Sequence, residues 1–213
     1  TSLALKTGLL RYTVLAGIAA GFFMGSKFLG LLFVVTCGLV ILAQRRWLVH
    51  GLVFSVVALT AGSQWYIWNY IHTGDPVFPV LFEFLKQVNY SHWDQAHNDA
   101  FKLIWVQEKS VPANLLWFLG YPFAASFSAF KTMESGRTGM GPFLLLIFPF
   151  VVAALWKFRT QIRQSFLLPI AGIVLIFYAL WFFTGSSQRV RHLLPIYPLL
   201  LVCASAVALR WAS

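Results

Sequence analysis

Trp47–Leu–Val–His–Gly–Leu–Val–Phe–Ser–Val–Val–Ala–Leu–Thr–Ala–Gly–Ser–Gln–Trp–Tyr–Ile–Trp–Asn–Tyr–Ile–His–Thr–Gly74 is a run of 28 residues without Asp, Glu, Lys or Arg. A helix needs about 20 mainly apolar residues to cross a bilayer, so this run is long enough. Its far end is crowded with Trp65, Tyr66, Trp68 and Tyr70, the residue types that gather at membrane–water interfaces. Working outward, further charge-free runs cover 12–26, 28–44, 110–130, 138–156, 164–188 and 192–209. The run 12–26 is short and spans only if tilted or extended through Leu9 and Leu10. The fold class that follows is all-α: a polytopic membrane protein of about six transmembrane helices with an external helical loop region.

The chain has 213 residues, of which 59% are hydrophobic and only 10% charged, against about 25% charged in an ordinary soluble domain. Its formal net charge is +10, which raises nucleic acid and membrane surfaces as partners. Placement decides between them. All six acids (Asp75, Glu83, Asp94, Asp99, Glu108, Glu134) lie between 75 and 134, and the rest of the chain carries basic residues alone. Those basic residues punctuate apolar runs and form no stripe on a polar surface, which excludes a soluble nucleic-acid binder. Cys37 and Cys203 fall inside apolar runs and read as small core residues. The sequence opens at Thr1, with an apolar run following at once where a secretory signal would end; we read it as part of a longer membrane protein.

Cytoplasmic loops are enriched in Lys and Arg. Placing Arg45–Arg46 and Lys157–Arg159–Arg163 inside gives one consistent path. Helices run out over about 12–25, back over 28–43 with a turn at Lys27, and out over 48–69. Residues 1–71 thus hold three transmembrane helices, 72–138 form an external (periplasmic) loop, and 139–213 hold three more helices over about 140–156, 165–184 and 192–209. The run 110–130 contains Pro112, Gly120 and Pro122. Were it to cross, one basic cluster would move outside, so it is expected to be re-entrant or interfacial. In the external loop, Phe78, Leu81, Phe82 and Leu85 follow helical spacing with Glu83, Lys86 and Gln87 opposite. That pattern predicts a short amphipathic helix, and a second is expected near Phe101–Gln107.

Eight basic residues then serve as cytoplasmic anchors. Four cations, Lys27, Arg137, Arg189 and Arg191, stand on the outer side against the charge rule. Lys27 interrupts an apolar stretch between Gly25 and Gly30; it reads either as a turn lysine reaching for water or as part of an anion site. Arg189, Arg191 and His192 precede a helix that starts with Pro195 and Pro198. Guanidinium groups bind phosphate through paired hydrogen bonds, which makes these three candidates for a phosphate site; the alternative is a partner among the external acids. Asp75, Glu108 and Glu134 are external-loop carboxylates able to act as acid or base, and no spacing singles one out. His92, Asp94, His97 and Asp99 match no strong metal-binding pattern, so no metal or other cofactor is assigned. Phosphate-binding and hydrolase motifs of known mechanics are absent from the sequence.

Four segments together resemble the GT-C membrane glycosyltransferases, of the polyprenyl-phosphate-sugar-dependent protein mannosyltransferase and aminoarabinose transferase type. They are Ala16–Gly21 through Met24–Gly–Ser–Lys27, Trp65 to Pro79 with its Thr–Gly–Asp–Pro–Val–Phe–Pro ending, Gly139–Met–Gly–Pro–Phe143 with Pro149, and Arg191–His–Leu–Leu–Pro–Ile–Tyr–Pro198. Trp68 departs from the family's frequent Arg, and Asp75 from its common Asn. The resemblance implies transfer of a sugar from a polyprenyl-phosphate donor to a lipid, glycan or protein acceptor at the outer face of a bacterial inner membrane. It also implies a catalytic carboxylate in an external loop N-terminal to this chain, so no catalytic residue is named here. Lys27, Arg189, Arg191 and His192 would hold the donor's phosphate as negative charge develops on it. A transporter or lipid flippase would carry polar residues at mid-helix or a helical repeat, and neither is visible. A polysaccharide ligase or polymerase, or a non-catalytic scaffold, would share the long external loop; the Lys27 turn and the 73–79 segment favour the transferase.

Overall fold

A computed structural model describes residues 1–85, 93–109, 111–127, 143–160, 165, 167–185 and 187–212. The described residues form helices joined by turns and irregular segments, without a strand among them, in keeping with the all-α class. They divide into two compact units, Leu3–Val106 and Gln107–Ser213.

In the first unit a short helix α1 (Ser2–Thr7) ends at Gly8, whose φ of 66° closes it in the left-handed region. Helices α2 (Leu10–Ser26), α3 (Phe28–Ile41) and α4 (Trp47–Gly62) follow. The ends of α2 and α3 and the start of α4 fall within two residues of the sequence expectation, because Lys27 and Gln44–Arg46 are where the apolar runs break; α1 has no counterpart in that expectation.

Three of these helices form one layered packing unit. Gly17, Gly21 and Gly25 recur every fourth residue on α2, and Phe54, Ala58 and Gly62 do so on α4. They meet in step. A Cβ on Gly17 would lie 3.0 Å from Val57 and 3.1 Å from the Phe54 carbonyl; one on Gly21 would meet Ala58 and lie 2.8 Å from Ala61; one on Gly25 would lie 3.3 Å from Gly62. One turn earlier, the buried Thr13 hydroxyl and His50 Nδ1 are 2.6 Å apart. Since residue numbers rise together along both helices, α2 and α4 run parallel, with α3 returning between their ends. Rows at i and i+4 on both partners are the ridges of the commonest helix-packing class, and glycines let the backbones close up further.

The chain turns from α2 to α3 at Lys27 alone, which is extended (φ −161°, ψ 142°). So tight a reversal presses α3 against the end of α2, and a side chain at Gly30 would collide with the Phe23 backbone.

Two expectations change. The single helix predicted over 48–69 is two: α4 and α5 (Gln64–Thr73) meet at a 59° bend. The break falls at Gly62–Ser63, a pairing typical of kinks, where Gly62 is pinned against Gly21. Among the described residues, the amphipathic helix predicted from Phe78 is present only over α6 (Phe82–Leu85); residues 76–81 are turns. Pro76 and Pro79 lack an amide and disfavour helix at the residues before them, and the Phe78–Pro79 bond is cis. Lys86 and Gln87 lie outside the described residues. The second external helix is longer than expected, α7 (Gln95–Gln107). Asp94 caps it, its carboxylate accepting the His97 amide at 3.0 Å.

The second unit contains α8 (Leu115–Phe127), α9 (Phe143–Lys157), α10 (Leu167–Thr184), a 3₁₀ turn at Val190–Leu193, and α11 (Tyr197–Ala212). Leu167 and Val207 pack together with Val151, Phe158 and Cys203, tying α9, α10 and α11. Phe118 and Tyr121 of α8 pack on Tyr178, Trp181 and Phe182 of α10.

Among the described residues, α10 alone is by length and composition long and apolar enough to cross a membrane, and α4 with α5 qualifies only as a bent pair. Helices α2, α3, α8 and α11 are shorter and apolar.

Gly21→Val forces atoms into a closed backbone contact, so it is expected to cost at least about 1–3 kcal/mol. Gly120, in mid-α8, has nothing within 4 Å of a Cβ position, and Gly120→Ala is expected to be neutral or to stabilise by up to about 1 kcal/mol. Thermal unfolding of the two variants checks both, and equal effects would contradict the packing.

Candidate functional site

Lys27 is exposed and sits at the N-cap position of α3, whose first turn has no acidic residue. The unsatisfied amides of a helix start carry partial positive charge, so lysine and helix end present the same sign of field. Tyr66 of α5 donates its hydroxyl to the Met24 carbonyl at 3.1 Å, fixing the start of α5 beside this turn. Trp65, Trp68 and His72 stack in series along α5, with ring centroids 5.2 and 4.2 Å apart, and all three are exposed.

Asp75 is fully buried. One carboxylate oxygen accepts the Val77 amide at 2.8 Å and the other the Leu81 amide at 3.0 Å. The Thr73 hydroxyl is 3.1 Å from both the amide and the carbonyl of Asp75, and 2.8 Å from the Asn69 carbonyl. The Thr–Gly–Asp–Pro segment is therefore a carboxylate-held loop that closes α5, with Gly74 at φ 76° making the left-handed turn. That arrangement uses both oxygens, which an Asn side chain cannot do because it offers only one acceptor.

In the second unit the 188–193 segment is tied to residues 108–121. Gln188 is 2% exposed. Its amide donates to the Glu108 carbonyl (3.1 Å), its side-chain oxygen accepts the Val111 amide (2.8 Å), and its carbonyl accepts the Tyr121 hydroxyl (2.5 Å). Arg189 pairs with Glu108, N to O 2.7 Å, both side chains largely sheltered. A partner among the acids, the alternative in the sequence, is thus what Arg189 has. Arg191 is exposed on a 3₁₀ turn whose other face is anchored by the buried Val190, Leu193 and Ile196, while His192 is half-buried. Trp181 Nε1, beside Tyr121, and Ser187 Oγ are buried without a hydrogen-bond partner among the described residues.

Among the site candidates, then, Arg189, Arg191 and His192 share one turn with Glu108, and Lys27 and Asp75 belong to the first unit. Glu134 and Arg137 lie outside the described residues, as does His92. His97 Nδ1 pairs with Asp94 at 2.8 Å. Among the described residues no group of three His, Cys, Asp or Glu side chains is placed to hold a metal. Gln188 and Tyr121 are missed by sequence reasoning; the only signal for Gln188 was a polar residue between an apolar run and two arginines.

The His97 amide, and then its ring, hold the Asp94 carboxyl below its ordinary value. A depressed carboxyl pKa contributes stability above its unfolded pKa and loses it as pH falls through the folded one.

Comparison with protein-family models, curated proteins and solved structures finds no match.

Three outcomes follow from this geometry. Asp75→Asn sets an amide group against a backbone N–H and is expected to destabilise by about 1–3 kcal/mol, with exchange protection lost at the Val77 or Leu81 amide. Tyr121→Phe strands the Gln188 carbonyl and should cost a similar amount, read by thermal unfolding. The Asp94 carboxyl should titrate below the usual carboxylate range by NMR, and the start of α7 should fray below that pH; a midpoint at or above about 3.9 would contradict the cap.

Proposed function

We propose that this chain is part of a polytopic membrane glycosyltransferase that moves a sugar from a polyprenyl-phosphate donor to an acceptor on the outer side of the membrane. The observation that carries the membrane part is which side chains the N-terminal helices turn outward. Their packed faces hold Thr13, Gly17, Gly21, Thr36, His50 and Gly62 beside the apolar Met24, Val40, Ile41 and Phe54, while Leu15, Phe22, Leu31, Val35, Leu52, Val56 and Leu59 are exposed. In water this would leave a continuous apolar exterior far beyond what a monomer shows. In lipid it is the expected distribution, with small and polar residues at helix contacts.

Charge supports the same orientation. Gln44 donates to the Ala4 carbonyl at 2.8 Å, so the exposed Lys6, Arg11, Arg45 and Arg46 gather at one end of the α2–α4 pair, and Lys27 stands at the other. The 17-residue α2 is about 25 Å long and the 16-residue α4 about 24 Å, a little under the ~30 Å hydrocarbon core.

The transfer chemistry rests on one exposed cation in each unit, Lys27 in the first and Arg191 in the second, each taken by itself. Breaking the bond between sugar and lipid phosphate builds negative charge on the phosphate oxygens, and fixed positive groups there lower the barrier. Within the first unit Lys27 with the start of α3 supplies such a field; within the second, Arg191 on its turn is a separate candidate. Arg189 is held by Glu108 and so orients the turn, its charge offset by that carboxylate.

The test is transfer from labelled polyprenyl-phosphate sugars by the full-length protein in liposomes. Lys27→Ala and Arg191→Ala are each expected to lower turnover by about 10- to 1,000-fold, as losing one stabilising charge does, with membrane insertion intact. Unchanged turnover in both would overturn the phosphate role.

A further inference from the structure

An open apolar groove of 340 Å³ runs between α3 and α4 at the arginine end of the first unit. Val35 and Leu39 form one wall, Leu48 and Leu52 the other. All four are exposed. Gly38 on α3 and Gly51 on α4 are among its lining residues. A Cβ on Gly38 would lie 3.6 Å from the Phe54 ring and one on Gly51 3.2 Å from Leu42, so the trough exists because both positions lack a side chain.

The end of this trough is charged. The loop that joins its walls carries Arg45 and Arg46, both exposed, and leads into Trp47, which lines the groove's mouth. No Asp or Glu precedes Asp75 in the chain. The cationic end of the groove therefore has no carboxylate of its own unit's helices α1–α5 to neutralise it.

We propose that this groove binds one acyl chain of an anionic diacyl phospholipid, with the head-group phosphate at Arg45 and Arg46. The proposal rests on the membrane reading above and assigns a second lipid site, at the end opposite Lys27. Its dimensions fit one leaflet. From Val35 to Leu42 the α3 wall rises about 10 Å, within the ~15 Å half-thickness of a hydrocarbon core, which suits a single acyl chain better than a long polyprenyl chain. An apolar trough ending in a basic pair beside an interfacial Trp is the pattern by which inner-leaflet anionic lipids are held.

The experiment is native mass spectrometry of the full-length protein in neutral detergent, titrated separately with phosphatidylglycerol, phosphatidylcholine and a polyprenyl phosphate. Phosphatidylglycerol is expected to bind about tenfold or more tightly than phosphatidylcholine. The double variant R45Q/R46Q should abolish that preference. Gly38→Leu, which adds a side chain to the lining, should weaken both phospholipids; Leu39→Trp fills the groove from its rim and serves if the first variant does not fold. Equal binding of the two phospholipids, a preference that survives R45Q/R46Q, or tighter binding of polyprenyl phosphate at this site would overturn the proposal. Detergent-dependent extraction with no such preference would remove the lipid site alone, whereas a protein soluble without detergent would remove the membrane reading with it.

Discussion

The close approach of α2 and α4 is the constraint on which the first unit depends. Gly17, Gly21 and Gly25 leave one backbone bare along a row, and Ala58 and Gly62 nearly bare the other. Lipid chains are as apolar as Leu, so in a bilayer helices gain little from hiding Leu from their surroundings. They gain from contact area, which grows when backbones touch. The consequences spread from there. A parallel pair requires a return helix, and α3 fits only because Lys27 reverses the chain in one residue and Gly30 lets it lie against α2. Gly62, held by Gly21, fixes where α4 stops, and the bend to α5 follows at Ser63.

Much of the helix layout was legible because charge and apolar length carry it. Lys27 and Arg45–Arg46 interrupt apolar runs, and the helices end at them. What hydropathy does not see is geometry within a run. The residues 47–74 contain no charge to mark the 59° bend, and the signal present, Gly62–Ser63, is a conformational one. The short external helix fails for a related reason. Phe78, Leu81 and Leu85 have helical spacing, but Pro76 and Pro79 remove amides and the Asp75 carboxylate takes those of Val77 and Leu81. Periodicity records apolar spacing alone, and here Phe78 and Leu81 fall on turns and are half-buried while Leu85 stays exposed.

The site was legible as residue types and not as pairings. Arg189 and Arg191 stood out as cations on the outer side, yet Glu108 lies far away in sequence, and only the fold brings it to 2.7 Å. Asp75 looked like one of several loop acids and is instead the buried clasp of a loop. Gln188, which joins Glu108, Val111 and Tyr121, has no sequence signature because a buried glutamine is defined by what surrounds it. Within the 188–193 segment Gln188 and Arg189 tie the chain to residues 108–121, and Arg191 is exposed on the same turn.

Opposed ends of the α2–α4 pair, one basic through Arg45 and Arg46 and the other bearing Lys27, are the core of this account. The most direct measurement is labelling of single cysteines at 27 and 46 by a membrane-impermeant maleimide in sealed right-side-out vesicles, in a full-length background with Cys37 and Cys203 replaced. The account predicts labelling of Lys27→Cys in intact vesicles and of Arg46→Cys only after the membrane is opened. Labelling of both from the same side would contradict it.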